Sequence, residues 1–259
     1  MQFFGKSDIG KKRSENQDSF ITEQLSENTV LFLVCDGMGG ANGGSTASSL
    51  ACKTFVENVK KKLQELQELQ EPDQLQFEGR MSKIETIIKK AVNATNSAVF
   101  RKASRSKKLS GMGTTLVCAL IIDRLLYVAN IGDSRLYGFS GDNMVQITHD
   151  HSYVQTLVDL GQITQDEANN SPYKNIITKA IGIQKKEEPD IFFDNLSESN
   201  YDYLLLCSDG LTNYATDETI HQIVKSECSL EEKCSKLIDT ANENGGGDNI
   251  TVVLIDMKD

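Results

Sequence analysis

Residues 31–40 read LFLVCDGMGG, five apolar residues closed by an aspartate and glycines. The run over 30–35 reads as a β-strand that ends at Asp36, because a short apolar run bounded by a turn signal has strand length and strand composition. Asp-Gly is also the commonest hairpin signal. Here, however, the segment that follows, 44–69, has helical spacing in Leu50, Phe55, Val59 and Leu63, so no second strand stands where a hairpin would need it. The same reading applies to YLLLCSDGL at 203–211, where Asp209 follows a strand-like run.

Upstream of this stretch, strand-like runs fall at 3–8 and 18–22. Downstream, the helical segment takes in a tandem Gln-Glu-Leu unit, too short for a coiled coil, and leads to a linker candidate at 71–79 around Pro72. A second helix is expected over 81–102 from Ile84, Ile87, Ile88, Ala91 and Val99. Four strand-like runs at 114–122, 125–130, 134–139 and 144–148 lie so close together that an antiparallel meander is expected. Residues 151–183 combine two short amphipathic helices with the stretch Asn169-Asn-Ser-Pro172, which reads as an inserted surface segment. The tail supplies a strand at 201–207, helices at 216–225 and 230–242, and a last strand at 250–256. Strands grouped with strands and helices with helices favour an α+β sandwich over a βαβ fold.

The formal net charge of −10 argues against nucleic acid as the main partner, since phosphate neutralisation needs clustered Lys and Arg. The short basic runs at 60–62 and 101–108 read as solvated helix faces. No apolar stretch reaches the roughly 18 residues of a membrane span, and the start MQFFGKSDIG lacks a signal-peptide layout, so a cytoplasmic protein is expected. The six cysteines form no C-x-x-C pair, and three of them (Cys35, Cys118, Cys207) lie inside apolar runs. They read as reduced core thiols.

The informative feature is the position of four aspartates: Asp18 opens a strand-like run, Asp36 and Asp209 end two, and Asp248 precedes the last. Strand tips let distant parts of a chain converge on one point, and carboxylate oxygens are what hard cations prefer. For Asp248, in GGGDNITVVLI, a plain Gly-rich turn is a strong alternative. GMGGANGG and SGMGTT invite a nucleotide-loop reading, but neither fits G-x-G-x-x-G and no Gly-Lys-Ser/Thr occurs. Cys118 and Arg124 match the C-x5-R spacing of a thiolate phosphatase loop, yet the interior Ala-Leu-Ile-Ile-Asp has no glycine to fold amides around a phosphate. It reads as a core strand. His149 and His151 alternate in THDHS without a partner to complete a zinc set, and His221 reads as a surface residue on a helix.

RSENQD, CDGMGG, GMGTT, NIGDSR, THDHS, CSDGL and GGGDNIT occur in that order. Together they closely resemble the metal-dependent protein phosphatase family of type 2C, in its bacterial branch, from residue 10 to 253. The resemblance implies an αββα sandwich: two antiparallel β-sheets face to face, flanked by helices. It implies a single catalytic domain over 1–259, with a flap segment inserted at about 151–183. By position, Asp36 resembles the carboxylate that bridges two metals, with Gly37 supplying a carbonyl. Asp209 and Asp248 resemble ligands of the first metal, and Asp18 the acid behind the second. Asp133 resembles the position of a weaker third metal, although a turn aspartate is the alternative reading there. Arg13 matches the phosphate-binding arginine, a role that a planar guanidinium suits.

The function implied is hydrolysis of phosphoserine and phosphothreonine by a water activated at a binuclear Mg²⁺ or Mn²⁺ centre, two ions per chain and a third at Asp133. Phosphoprotein substrates, a cognate Ser/Thr kinase and a monomeric state go with it; nucleic acid and membrane do not. One departure is Met38, where some members of the family carry a histidine as candidate proton donor. A non-catalytic module of the same fold would have lost ligand acids, and all are present. A structural calcium protein lacks its D-x-D-x-D-G loop here.

Overall fold

A computed structural model of the chain describes residues 1–68 and 77–258. In chain order the elements are β1 (Gln2–Asp8), β2 (Ser19–Ser26), β3 (Thr29–Cys35), β4 (Gly37–Met38), α1 (Gly40–Glu68), α2 (Phe77–Arg105), a 3₁₀ turn (Lys107–Leu109), β5 (Gly113–Thr114), β6 (Leu116–Ile122), β7 (Leu125–Ile131), β8 (Arg135–Ser140) and β9 (Asn143–Gln146). There follow α3 (Tyr153–Asp159), α4 (Gln165–Asn169), β10 (Asp190–Asn195), α5 (Leu196–Ser199), β11 (Tyr203–Cys207), α6 (Asp209–Thr212), α7 (Asp217–Lys225), α8 (Leu230–Glu243) and β12 (Ile250–Asp256). The linker expected at 71–79 falls mostly outside the described residues; its last three positions already belong to α2.

One five-stranded antiparallel sheet has the order β1-β12-β11-β8-β9 and the other β10-β7-β6-β3-β2. Alternation along β3 shows how they stack. Leu31, Leu33 and Cys35 pack with Phe55, Val59, Ile84 and Ile88 of α1 and α2, whereas Val30, Phe32 and Val34 pack with Leu204, Leu206, Val253 and Ile255 of the other sheet. Leu205, Val252 and Leu254, facing away from that middle layer, pack on Ile220, Leu237 and Ile238 of α7 and α8. Three apolar layers between four structural layers make the expected αββα sandwich. Phe32 is fully buried and meets Phe3 edge-on at 5.1 Å. Truncating it to Ala would cost about 3–5 kcal/mol.

The helices start where their sequences provide caps. The Thr216 hydroxyl accepts from the Thr219 N–H before α7, and Ser229 and Glu232 close a capping box before α8. The four central strand runs do not form a meander. β6 and β7 belong to one sheet and β8 and β9 to the other, and the chain crosses between them at Gly132–Ser134. Gly132 has φ +103°, and a Cβ there would lie 2.5 Å from the Thr115 methyl, so only glycine serves at this crossing. Among the described residues no helix is long and apolar enough to cross a membrane.

Candidate metal centre

The antiparallel register brings the acids together. Ser19 pairs with Cys35, which sets Asp18 beside Asp36 at one end of their sheet. Cys207 pairs with Val252, which sets Asp209 and Asp248 at the adjacent end of the other. Asp133 sits on the crossing turn between the two sheets, and Arg135 just after it pairs with Cys207. A cavity of about 830 Å³ opens at this edge, lined by Asp36, Gly37, Asp133, Asp209 and Asp248, with Arg13 at its rim. Asp18 does not line it. It is buried behind, its Oδ2 accepting from Ser208 Oγ at 2.8 Å and from Thr251 Oγ1 at 2.7 Å.

Charge in this cavity is badly out of balance. Burial lifts the Asp36 carboxyl well above the usual carboxylate range, and repulsion from Asp18, Asp209 and Asp133 lifts it further. Asp133 is raised in the same way by burial and by Asp209 and Asp150, and Asp209 by burial and Asp248. Asp18 is pushed up to about 7 by burial, against the two hydroxyls that bond it. Oδ1 of Asp18 and Oδ1 of Asp209 are buried without any hydrogen-bond partner. Buried carboxylates with orphaned oxygens are costly unless a cation answers them, and an all-oxygen donor set suits Mg²⁺ or Mn²⁺. The donor chemistry therefore fits. Among the described residues no three such side chains stand ready in a closed cage; the acids face a shared cavity and repel one another across it.

Arg13 is the cation that the chain itself brings, donating to Asp248 Oδ2 at 2.6 Å with its side chain about half exposed, 51%. Gly37 must be glycine for a packing reason: a Cβ would lie 2.2 Å from the Gly44 carbonyl and 2.5 Å from that of Gln17. Met38 lines the same cavity and offers it no titratable group.

Sequence reasoning missed the residues that hold these acids in place. The Asp36 N–H donates to Thr115 Oγ1 at 2.9 Å, and the Asp36 carbonyl accepts from the Thr115 N–H and the Thr114 hydroxyl, both at 2.8 Å. Thr115 Oγ1 also shares a 2.7 Å hydrogen bond with Ser134 Oγ, beside Asp133. Asn249 accepts from the Gln17 N–H at 2.8 Å and donates to the carbonyls of Ile9 and Glu15 at 3.0 Å, tying the Arg13 loop to the strand that follows Asp248. The available signal was the polar residue flanking each acidic motif: Thr-Thr in GMGTT, Ser in GDSR, Asn in GDNIT.

The other candidates separate from the site. Cys118 is buried in β6 with its thiol pushed up by burial, and Arg124 lies in the β6–β7 turn at φ +64°, so the C-x5-R match makes no phosphate loop. All six cysteines are free and Cys228 alone is only half-buried. His149 is exposed against Asp159 at 2.8 Å, while His151 is buried. His221 is not a plain surface residue: it is half-buried and stacks on Phe139 at 6.1 Å.

A family model for protein phosphatase 2C matches residues 5–246. The chain belongs to the protein phosphatase 2C family. Within the family it is 37% identical over 251 residues to the serine/threonine phosphatase stp of Listeria innocua, covering 97% of this chain and 94% of that one. Its fold is similar to that of the serine/threonine phosphatase Stp1 of Staphylococcus aureus, with a TM-score of 0.85 at 33% identity over 100% of this chain and 95% of the other. It is also similar to the catalytic domain of the phosphatase PstP in complex with two manganese ions, with a TM-score of 0.74 at 32% identity over 98% and 97% of the two chains.

Proposed function

We propose that this member of the protein phosphatase 2C family hydrolyses phosphoserine and phosphothreonine in phosphoproteins, at a divalent-metal centre assembled from both sheets. The observation that carries the reading is the convergence of Asp36, Asp133, Asp209 and Asp248 on one cavity with Arg13 at its rim. Asp36, Asp209 and Asp248, with the Gly37 carbonyl, are the residues that would hold two Mg²⁺ or Mn²⁺ ions, Asp18 supporting from behind and Asp133 serving a weaker third position. Such ions make water acidic enough to attack phosphorus at neutral pH and offset the charge on the phosphoryl oxygens.

The chain's own work is positioning. Arg13 reaches the rim from a loop fixed by Asn249, where its second face remains for two phosphate oxygens. Thr114 and Thr115 fix the backbone of Asp36, and Thr115 ties it to Ser134, the residue after Asp133, so the two acids are carried on linked segments. The P–O bond to the serine or threonine oxygen breaks and water supplies the new oxygen on phosphorus; no phosphoenzyme is needed, because phosphoryl transfer asks mainly for positioning and charge stabilisation. Residues 1–259 are read as one catalytic domain with a flap at 151–183, acting as a cytoplasmic monomer opposite a Ser/Thr kinase.

The deciding experiment is release of phosphate from a phosphothreonine peptide with and without chelator. Strict dependence on Mg²⁺ or Mn²⁺ is expected, and Asp36→Asn and Asp209→Asn should each lose most of kcat. Turnover that survives exhaustive chelation, or near-normal turnover in either variant at moderate metal concentration, would reject the reading.

A further inference from the structure

THDHS, which has no part in the chemistry above, is where the flap meets the crossing turn. The flap closes at its neck by pairing: the Tyr153 N–H donates to the Ile176 carbonyl at 2.7 Å, Ser152 bridges to Ile177, and the Thr178 N–H donates to the His151 carbonyl at 2.7 Å. From this neck the His151 imidazole reaches Gly132, the residue before Asp133. The Gly132 N–H donates to His151 Nδ1 at 3.1 Å and the His151 N–H donates back to the Gly132 carbonyl at 2.9 Å. Asn130 adds a 2.9 Å hydrogen bond to the His149 carbonyl.

The hydrogen bonds assign the tautomer. Nδ1 accepts, so a neutral ring carries its proton on Nε2, which stands 3.1 Å from Asp190 Oδ2 and donates to it. Asp190 opens β10 and pairs there with Asn130 of β7, so the carboxylate is anchored to the sheet that leads into the turn. Lys179 Nζ lies 3.1 Å from Nε2 and 3.3 Å from Asp190 Oδ1, where it holds the carboxylate and opposes a second proton on the ring. Burial, then Lys179, lowers the His151 pKa, against Asp190.

A histidine kept only for packing would not need a fixed tautomer or a partner on a second strand. What His151 grips, through both the amide and the carbonyl, is the backbone of a glycine at φ +103° one residue ahead of a buried acid, on a turn that Asn130 Nδ2 also reaches, at 3.4 Å from the Gly132 carbonyl. We infer that His151, oriented by Asp190, is a positioning residue that sets the Gly132–Asp133 turn and links the flap neck to the metal-facing acid. The role given to Asp133 rests on the function proposed above; the clamp itself does not.

The two ring nitrogens can be tested apart. His151→Asn keeps an acceptor near Nδ1 and gives up Asp190; His151→Gln reaches toward Asp190 and gives up the acceptor. In ¹⁵N-histidine-labelled protein with chelator present, His151 should show a bare Nδ1 and a protonated Nε2, and hydrogen exchange at the Gly132 amide should be slow in the wild type and fast in His151→Gln. A protonated Nδ1, or unchanged Gly132 exchange in His151→Gln, overturns the clamp whether or not the chain is active. With Mn²⁺, His151→Gln should lower kcat on an aryl phosphate by about 10-fold or more, the usual scale for a group behind a metal ligand, with KM little changed, and calorimetry should show loss at the weakest Mn²⁺ site alone. His151→Asn should recover much of both. Equal losses in the two variants, or weakening of every Mn²⁺ site together, would reduce His151 to a stability role and reject the inference.

Discussion

The Arg13 guanidinium and the Asp248 carboxylate, 235 positions apart in sequence, meet at 2.6 Å across the rim of the acidic cavity. The ion pair holds Arg13 over the site while about half of its side chain remains open to solvent. Arg13→Ala is therefore expected to raise KM for small phosphoesters and to lower kcat/KM by about 2–3 kcal/mol, the scale of charge-assisted hydrogen bonds to phosphate. Arg13→Lys should recover only part, because an ammonium cannot engage two oxygens as a fork. Steady-state kinetics on an aryl phosphate checks this, and an unchanged KM in Arg13→Ala would assign Arg13 to the surface.

The raised carboxyls make a pH prediction with a definite sign. In chelator, the folded protein retains protons on groups such as Asp18, raised from 3.8 to about 7, that the unfolded chain has already released. Where the folded state binds more protons, stability falls as pH rises, here from the unfolded carboxyl range up to about 7. Metal binding displaces those protons and removes the repulsion. The gain in Tm on adding Mn²⁺ should therefore be larger at about pH 7.5 than at about pH 5.5. A gain that is equal at both, or larger at the lower pH, would mean that the acids are not answered by the ion.

Cys118→Ser separates a core thiol from a nucleophile. Cys118 is fully buried in β6, opposite Leu33 of β3 and Ala129 of β7. A hydroxyl placed there without a partner should cost roughly 1–3 kcal/mol of stability. Turnover per folded molecule should stay near the wild type. A folded but inactive Cys118→Ser protein would restore the thiolate alternative.

Residues 30–35 were legible as a strand because burial on both faces leaves an unbroken apolar run. The acids were legible because they sit where such runs stop. Neither kind of signal tells which sheet a strand joins: Gly132 announces a turn, but that the chain leaves one sheet for the other there depends on pairing with β11, about seventy residues later. β10 was missed because it is an edge strand that buries little, with Phe193 exposed and a charged stretch before it. Thr115 and His151 were illegible as holders for another reason. Their bonds go to backbone atoms of Asp36 and Gly132, 79 and 19 positions away, and a hydroxyl or imidazole bonded to a distant amide leaves no periodicity to read.

The segment proposed as a flap offers the last test. Gln165, Ala168 and Asn169 of α4, with Lys174 and Asn175, wall a second cavity, about 740 Å³, that shares Asp133, Asp209 and Asn175 with the acidic cavity, and whose opposite wall is formed by Thr212 to Glu218. A phosphorylated side chain lying over the acids leaves its own polypeptide to run outward, and this polar cleft is contiguous with them. An aryl phosphate has nothing to place there. Removing residues 169–173 takes Asn169 out of that wall and shortens the chain leading to Lys174 and Asn175, breaks the Tyr153–Tyr173 ring contact, and leaves the neck pairing at 151–153 and 176–178 in place. The shortened protein should lose several-fold more kcat/KM on a phosphopeptide than on an aryl phosphate, about 1 kcal/mol or more of differential transition-state binding. Mn²⁺ calorimetry and a thermal melt establish that the variant still binds metal and folds. Equal losses on the two substrates in such a variant would make the segment scaffold, and the cleft would have no part in recognising the peptide.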